Sequence, residues 1–329
     1  MTWKTWAGLA ALLIGATLLA QTSEDRLVGG ETLYRARWGD SLARIGARFA
    51  VDAGLLAREN GLPASARLDV GQHLRVVNRH IVPFVLDQGI LINVPQRLLF
   101  FFHDGALAAW YPAGLGRPDW QTATGRFEVE SKRHKPTWHV PVSIQNEMRR
   151  HGKPVRTEVP PGPENPLGDY WIGLTGSTCG IHGTNAPASV YAFRTHGCVR
   201  LHPDDIADLF ARVSVGTPVW MAYEPVLLVR RADGSVLLEV HRDVYRRAGD
   251  LRAAVDVAAS RESVLGVLDS SRVTEVVAAR EGLARRVDRV GDSARVPSPA
   301  RSGARLSRRL RRGGRVLQKR TSHPRVAMR

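Results

Sequence analysis

The stretch Arg194-Thr195-His196-Gly197-Cys198-Val199-Arg200, RTHGCVR, sets one of only two cysteines in a 329-residue chain between a His-Gly step and an arginine. Gly197 lets the backbone turn tightly before the sulfur, so the amides of Gly197 and Cys198 can converge on a developing oxyanion. A thiol of ordinary pKa, about 8.5, is only about 3% thiolate at neutral pH, and lowering that pKa to about 6 raises the fraction to roughly 90%. A neighbouring imidazole supplies such a shift by taking the proton. The segment Cys179-Gly180-Ile181-His182-Gly183-Thr184-Asn185 offers one in His182. Read as a strand, it places His182 and Gly180 on one face and Ile181 and Cys179 on the other, so Cys179 is expected to face away, into the core.

Around these segments, residues 81–224 are rich in β-type runs broken by Gly and Pro. Ile90 to Val94, Leu98 to Phe102 and Ala106 to Tyr111 are expected strands, the last two joined by a hairpin turn at His103-Asp104-Gly105. Helical spacing is nearly confined to Pro203 to Val213, where Asp204 and Asp205 favour the start and Ile206, Leu209, Phe210 and Val213 form an apolar stripe. Residues 145–168, rich in Gly and Pro, read as an irregular flap over a cleft, with Trp138 beneath it.

Upstream, Tyr34 to Val77 reads as a small α+β module of strand, two helices and strand. Gly39-Asp40-Ser41 caps a helix carrying Leu42, Ile45 and Phe49; Val51-Asp52 opens a second with Leu55 and Leu56; Leu74 to Val77 closes the unit. Downstream, residues 225–245 form a hairpin turning at Ala232-Asp233-Gly234. Helices are expected over Leu251 to Ser260 and Val273 to Val290.

The ends differ in character. Lys4 precedes the apolar run Trp6 to Ala20, and polar residues follow, the shape of an export signal over residues 1–24. With a cut after Ala20, Leu18 at the minus-three position matches the small-x-small rule poorly, so an uncleaved anchor stays open. Twelve Arg or Lys and no acidic residue fall within Arg295 to Arg329, so most of the net charge of +16 sits in the tail. Residues 292–329 are expected to be a disordered basic tail drawn to anionic envelope surfaces. For an exported chain a Cys179–Cys198 disulfide is the plain alternative to a free thiol.

Two resemblances organise these observations. Gly39-Asp40-Ser41-Leu42, Asn60-Gly61-Leu62 and Gly71-Gln72-His73-Leu74 resemble the LysM domain, with Arg37-Trp38 departing from its usual pair; residues 30–78 would then bind peptidoglycan glycan strands. His182-Gly183-Thr184-Asn185 followed by Thr195-His196-Gly197-Cys198-Val199-Arg200-Leu201 resembles the L,D-transpeptidase (YkuD) motif. Thr122-Ala123-Thr124-Gly125, with Ala123 in place of the usual Pro, and Pro160 to Gly168 resemble further segments of that family. The resemblance implies a free thiolate, with Cys198 as nucleophile, His182 as base and the Gly183 carbonyl orienting the imidazole. The amides of His196, Gly197 and Cys198 would line an oxyanion hole, and Thr195 and Arg200 would support site and substrate.

The fold class expected is therefore multidomain. A βααβ LysM module precedes a mostly β catalytic domain with one main helix (81–224), a C-terminal extension of hairpin and helices (225–291) and the basic tail. The implied reaction cleaves the diaminopimelate–D-alanine bond of a stem tetrapeptide and passes the acyl group to another stem peptide, to a lysine of an outer-membrane lipoprotein or to water. The implied place is the periplasm or cell envelope. No cofactor, metal or nucleic acid is expected, since His139 and His202 are isolated and zinc-type spacing is lacking.

Overall fold

The computed structural model describes residues 26–289. The export signal expected over residues 1–24 and the tail expected over 292–329 lie outside the described residues. Among those described, no helix is long and apolar enough to cross a membrane.

After a short strand β1 (Leu27–Val28), the first module runs β2 (Glu31–Arg35), α1 (Leu42–Phe49), α2 (Ala53–Glu59) and β3 (His73–Val77), with β2 and β3 antiparallel. Ser41 caps α1 by accepting from the Arg44 amide, and Asp52 caps α2 by accepting from Gly54 and Leu55, satisfying amides that a helix start leaves unpaired. Leu42, Ile45, Leu55, Leu56, Leu74 and Val76 close the small core. Strand β4 (His80–Ile81) then pairs with β1.

The central domain comprises β5 (Gly89–Asn93), β6 (Leu98–His103), β7 (Ala106–Gly116), β8 (Gly125–His134), β9 (Trp138–His139), α3 (Val142–Arg150), β10 (Glu158–Val159), β11 (Tyr170–Leu174), β12 (Gly180–His182), β13 (Phe193–Thr195), β14 (Val199–Leu201), α4 (Pro203–Arg212) and β15 (Pro218–Ala222). Nine strands form one sheet in the order β13-β7-β14-β12-β11-β8-β15-β5-β6, and the added pairing of β6 with β7 closes it on itself. Both faces of β5 and β6 are buried, which explains their unbroken apolar sequence. Ile90, Ile92 and Leu99 face one core with Ile206 and Leu209 of α4, while Leu91, Phe100 and Phe102 face another with Ala50 and Val82. Helix α4 starts as its sequence requires, with Pro203 in the first turn beside Asp204 and Asp205.

One helix was not expected. The flap region opens with α3, a nine-residue helix with no buried residue and no side-chain cap, so it carries neither an apolar stripe nor a start signal.

The C-terminal extension forms the hairpin β16 (Val226–Arg230) and β17 (Val236–Val240), then α5 (Leu251–Arg261), α6 (Ser270–Ala279) and β18 (Arg285–Arg286), which pairs with β17. The helix expected over Val273 to Val290 therefore ends at Ala279. Arg280 turns left-handed at φ 47°, and the chain returns to the sheet. Extension and first module are tied together: Leu283 lies in the core of the first module, Arg58 pairs with Glu281 at 3.1 Å, and Arg285 pairs with Glu59 at 3.0 Å.

Candidate active site

Strands β12 and β14 run parallel and adjacent, with Ile181 opposite Val199 and His182 opposite Arg200. That register carries the His182 strand alongside the turn that ends in Cys198. Both side chains line a cleft of about 510 Å³, together with Thr195, His196 and Arg200.

His182 is 4% exposed, and its Nδ1 lies 2.7 Å from the Gly183 carbonyl. A carbonyl only accepts, so Nδ1 carries the proton and Nε2 is left as a base. Trp171, opposite His182 in the sheet, stacks near its ring at 6.0 Å. Gly183 is tightly enclosed: a Cβ there would stand 3.2 Å from both Ile206 Cγ2 and the Leu167 carbonyl.

The turn before Cys198 is built by Thr195 and Gly197. Thr195 Oγ1 donates to the Cys198 carbonyl at 2.6 Å and accepts from the Gly197 amide at 3.2 Å. Gly197 sits at φ +104°, a backbone region that L side chains rarely adopt. Its amide is thus spent on Thr195, and the group of three amides expected to face an oxyanion loses this member. Arg200 donates to Ser189 Oγ at 2.8 Å, while its buried Nε meets no acceptor among the described residues.

Cys179 departs from expectation. Strand β12 begins only at Gly180, so the alternation of faces does not reach Cys179. It lies in the preceding turn, and its sulfur enters the same cleft, 3.7 Å from the His196 carbonyl and 3.3 Å from where a Gly197 Cβ would stand. Both cysteines are free thiols.

The electrostatics also differ from the expected thiolate. Donation to the Cys179 sulfur, with burial, pushes the Cys198 thiol well above its ordinary value, outweighing the Gly180 amide and the Arg200 charge that pull it down. That same Cys198 donation lowers the Cys179 thiol against its burial. Burial, reinforced by Arg200, pushes His182 down to about 3. Burial thus disfavours the charged forms of both Cys198 and His182, which favours a neutral thiol beside a neutral imidazole.

Several contributors escaped the sequence reading. Glu147 Oε2 of α3 lies 2.5 Å from His196 Nε2, and Trp120 meets the His196 ring edge-on at 4.6 Å. Tyr245, from the extension, donates to the Gly116 carbonyl at 2.6 Å and accepts from the Thr122 amide, fixing the loop that carries Trp120. Buried Asn165 donates to the Pro136 carbonyl at 2.8 Å and accepts from Leu167, holding the base of the flap. Asn165 had a local signal in its Pro-Glu-Asn-Pro-Leu-Gly setting; the others act across more than 45 residues and have none. Among the described residues no cluster of His, Cys, Asp and Glu suits a metal ion.

Comparison with known proteins agrees with this architecture. A family model of the L,D-transpeptidase catalytic domain (YkuD) matches residues 87–221, and one of the LysM domain matches 34–77. The Salmonella typhimurium "Probable L,D-transpeptidase ErfK/SrfK" is 34% identical over 242 residues, covering 68% of this chain and 76% of that protein. The chain belongs to the L,D-transpeptidase family. Two further members, both from Escherichia coli, are "Probable L,D-transpeptidase YbiS", 32% identical over 65% of this chain and 72% of its own, and "Probable L,D-transpeptidase YcfS", 30% identical over 76% and 81%. In this L,D-transpeptidase the two matched regions coincide with the βααβ module and the closed sheet.

Proposed function

We propose that the protein is a peptidoglycan L,D-transpeptidase in which Cys198 is the nucleophile and His182 the base. The observation that carries the reading is the parallel register of β12 and β14, which brings Cys198 and an imidazole with its Nδ1 committed to Gly183 into one cleft. The sulfur attacks the carbonyl between diaminopimelate and D-alanine as its proton passes to His182 Nε2. The amides of His196 and Cys198 receive the oxyanion, and the Arg200 charge beside the site favours the anionic stage. The imidazolium gives its proton to the departing D-alanine amine, leaving a thioester.

An amine or water then resolves the thioester, taking the acyl group and returning the thiol to Cys198. A second diaminopimelate gives a 3-3 crosslink, a lipoprotein lysine tethers the outer membrane, and water gives a carboxypeptidase. The LysM module holds glycan strands, and the work is done in the cell envelope, with the basic tail drawn to anionic surfaces. Incubation with purified muropeptides tests the reading: D-alanine appears, and mass spectrometry of the products identifies the acceptor. Binding to sacculi without D-alanine release would leave only a wall-binding protein.

A further inference from the structure

Helix α3 lines the cleft through Ser143 and Ile144, yet buries no residue. Apolar packing therefore does little to hold it down. Among the described residues, the side-chain hydrogen bonds that leave α3 for the body of the barrel are both made by Glu147. One oxygen lies 2.5 Å from His196 Nε2, and the other accepts from Arg117 at 3.2 Å. Arg117 is itself fixed to the same turn, its amide donating to the Thr195 carbonyl at 3.1 Å. Trp120 closes against the His196 ring, so the imidazole is held at its tip by Glu147 and at its side by an aromatic edge. His196 immediately precedes Gly197 and Cys198, and its backbone is continuous with the turn that aims the sulfur and the neighbouring amides.

We propose that Glu147 is a positioning residue that latches α3 to His196, so that closing the cleft and setting the Cys198 turn are one event. It lies outside the residues that line the cleft and acts through His196 and Arg117. Two bonds from one carboxylate to groups on both sides of the turn remove its freedom to rock, and a displacement of about 1 Å at a nucleophile is enough to cost about 100-fold in rate. With the latch open, α3 lifts from the cleft and the turn loosens.

This inference rests on the acyl-transfer reading above, and its test separates the two. In the full chain, Glu147→Ala is expected to lower kcat for D-alanine release about tenfold or more, while Glu147→Gln, which keeps an acceptor for His196, loses less. In a His196→Ala background, Glu147→Ala is expected to add less loss than it causes in the wild type, because the His196 contact is already gone and only the Arg117 contact remains to be removed. Wild-type kcat in Glu147→Ala, or losses that multiply in the double variant, would overturn the latch. Hydrogen exchange reads the contact without any activity. Amides of residues 142–150 are expected to exchange faster in Glu147→Ala and, to a lesser extent because Arg117 still holds Glu147, in His196→Ala, and unchanged exchange in either variant would overturn it. Absence of D-alanine release from the wild type would instead count against the transpeptidase reading and leave the exchange result to decide the latch.

Discussion

At the scale of single residues, Cys198, the proposed nucleophile, has its thiol pushed up and so favours the protonated form. Burial and the Arg200 charge hold His182 at about 3, below the ordinary imidazole value, so its imidazole, the proposed base, stays neutral through mildly acidic pH. The expected consequence is a kcat/KM for D-alanine release that stays level from about pH 7.5 down to about pH 5, with no loss near the ordinary imidazole pKa of about 6.5. An acid limb near 6.5 would show that burial does not govern the imidazole. The two thiols shift in opposite directions, Cys198 upward and Cys179 downward. Iodoacetamide is therefore expected to label Cys179 first. In Cys179→Ser the main upward influence on Cys198 is gone, so labelling of Cys198 should set in at lower pH than in the wild type, as peptide mass mapping across pH would reveal; an unchanged labelling profile for Cys198 would contradict the thiol pair.

At the scale of elements, Gly180 opens β12 because no side chain fits there. A Cβ would stand 2.4 Å from the Ile172 carbonyl and 2.7 Å from the Trp171 ring. Gly180→Ala should cost about 1–3 kcal/mol in chemical denaturation, as overpacked sites do, and should displace Trp171 from His182. Unchanged stability with full activity would show that the β11–β12 junction tolerates repacking. What the sequence revealed follows from the same local physics. Ser41 and Asp52 announce their helices by capping, and Pro203, Asp204 and Asp205 announce α4. Helix α3 stayed hidden because its residues bury nothing. Helix α6 was read too long because the reversal at Arg280 is imposed by the extension packing onto itself, where a Cβ on Gly282 would strike the His241 ring at 2.7 Å. Cys179 was misplaced by a strand boundary one residue away. Cys198 and His182 stood in short contiguous motifs, whereas Glu147, Trp120 and Tyr245 reach the site through the fold.

At the scale of the molecule, the modules are not independent beads. Glu239 of β17 is fully buried and accepts from His241 Nε2 at 2.7 Å, Gln96 Nε2 at 3.0 Å and the Ile81 amide at 2.5 Å, with His80 Nδ1 at 2.9 Å. His80 Nε2 reaches on to the Ala50 carbonyl at 3.0 Å, so one carboxylate joins the extension, the barrel, the linker strand and the LysM module. Burial pushes the Glu239 carboxyl up, but His80 and His241 outweigh it and hold it at about 2. The folded value lies below the ordinary one, so the stabilisation is complete above the usual carboxylate range and is lost as pH falls through about 2. Removing the carboxylate leaves buried partners unmatched, and Glu239→Ala should cost about 3–5 kcal/mol in urea unfolding at neutral pH. Deleting Tyr34 to Val77 should likewise lower the melting temperature of the rest, because Ala50 packs with Leu91, Phe100 and Phe102. A truncated protein that melts like the full chain would show the modules to be separable.

The most direct test of the central claim is intact-mass and peptide mapping of the covalent intermediate. Cys179→Ser, which leaves Cys198 as its single thiol, is incubated with a tetrapeptide muropeptide. The account predicts an acyl adduct on the peptide containing Cys198, abolished by Cys198→Ala and strongly slowed by His182→Ala. An adduct that survives in Cys198→Ala, or that vanishes with Cys179→Ser while Cys198 is intact, would contradict it.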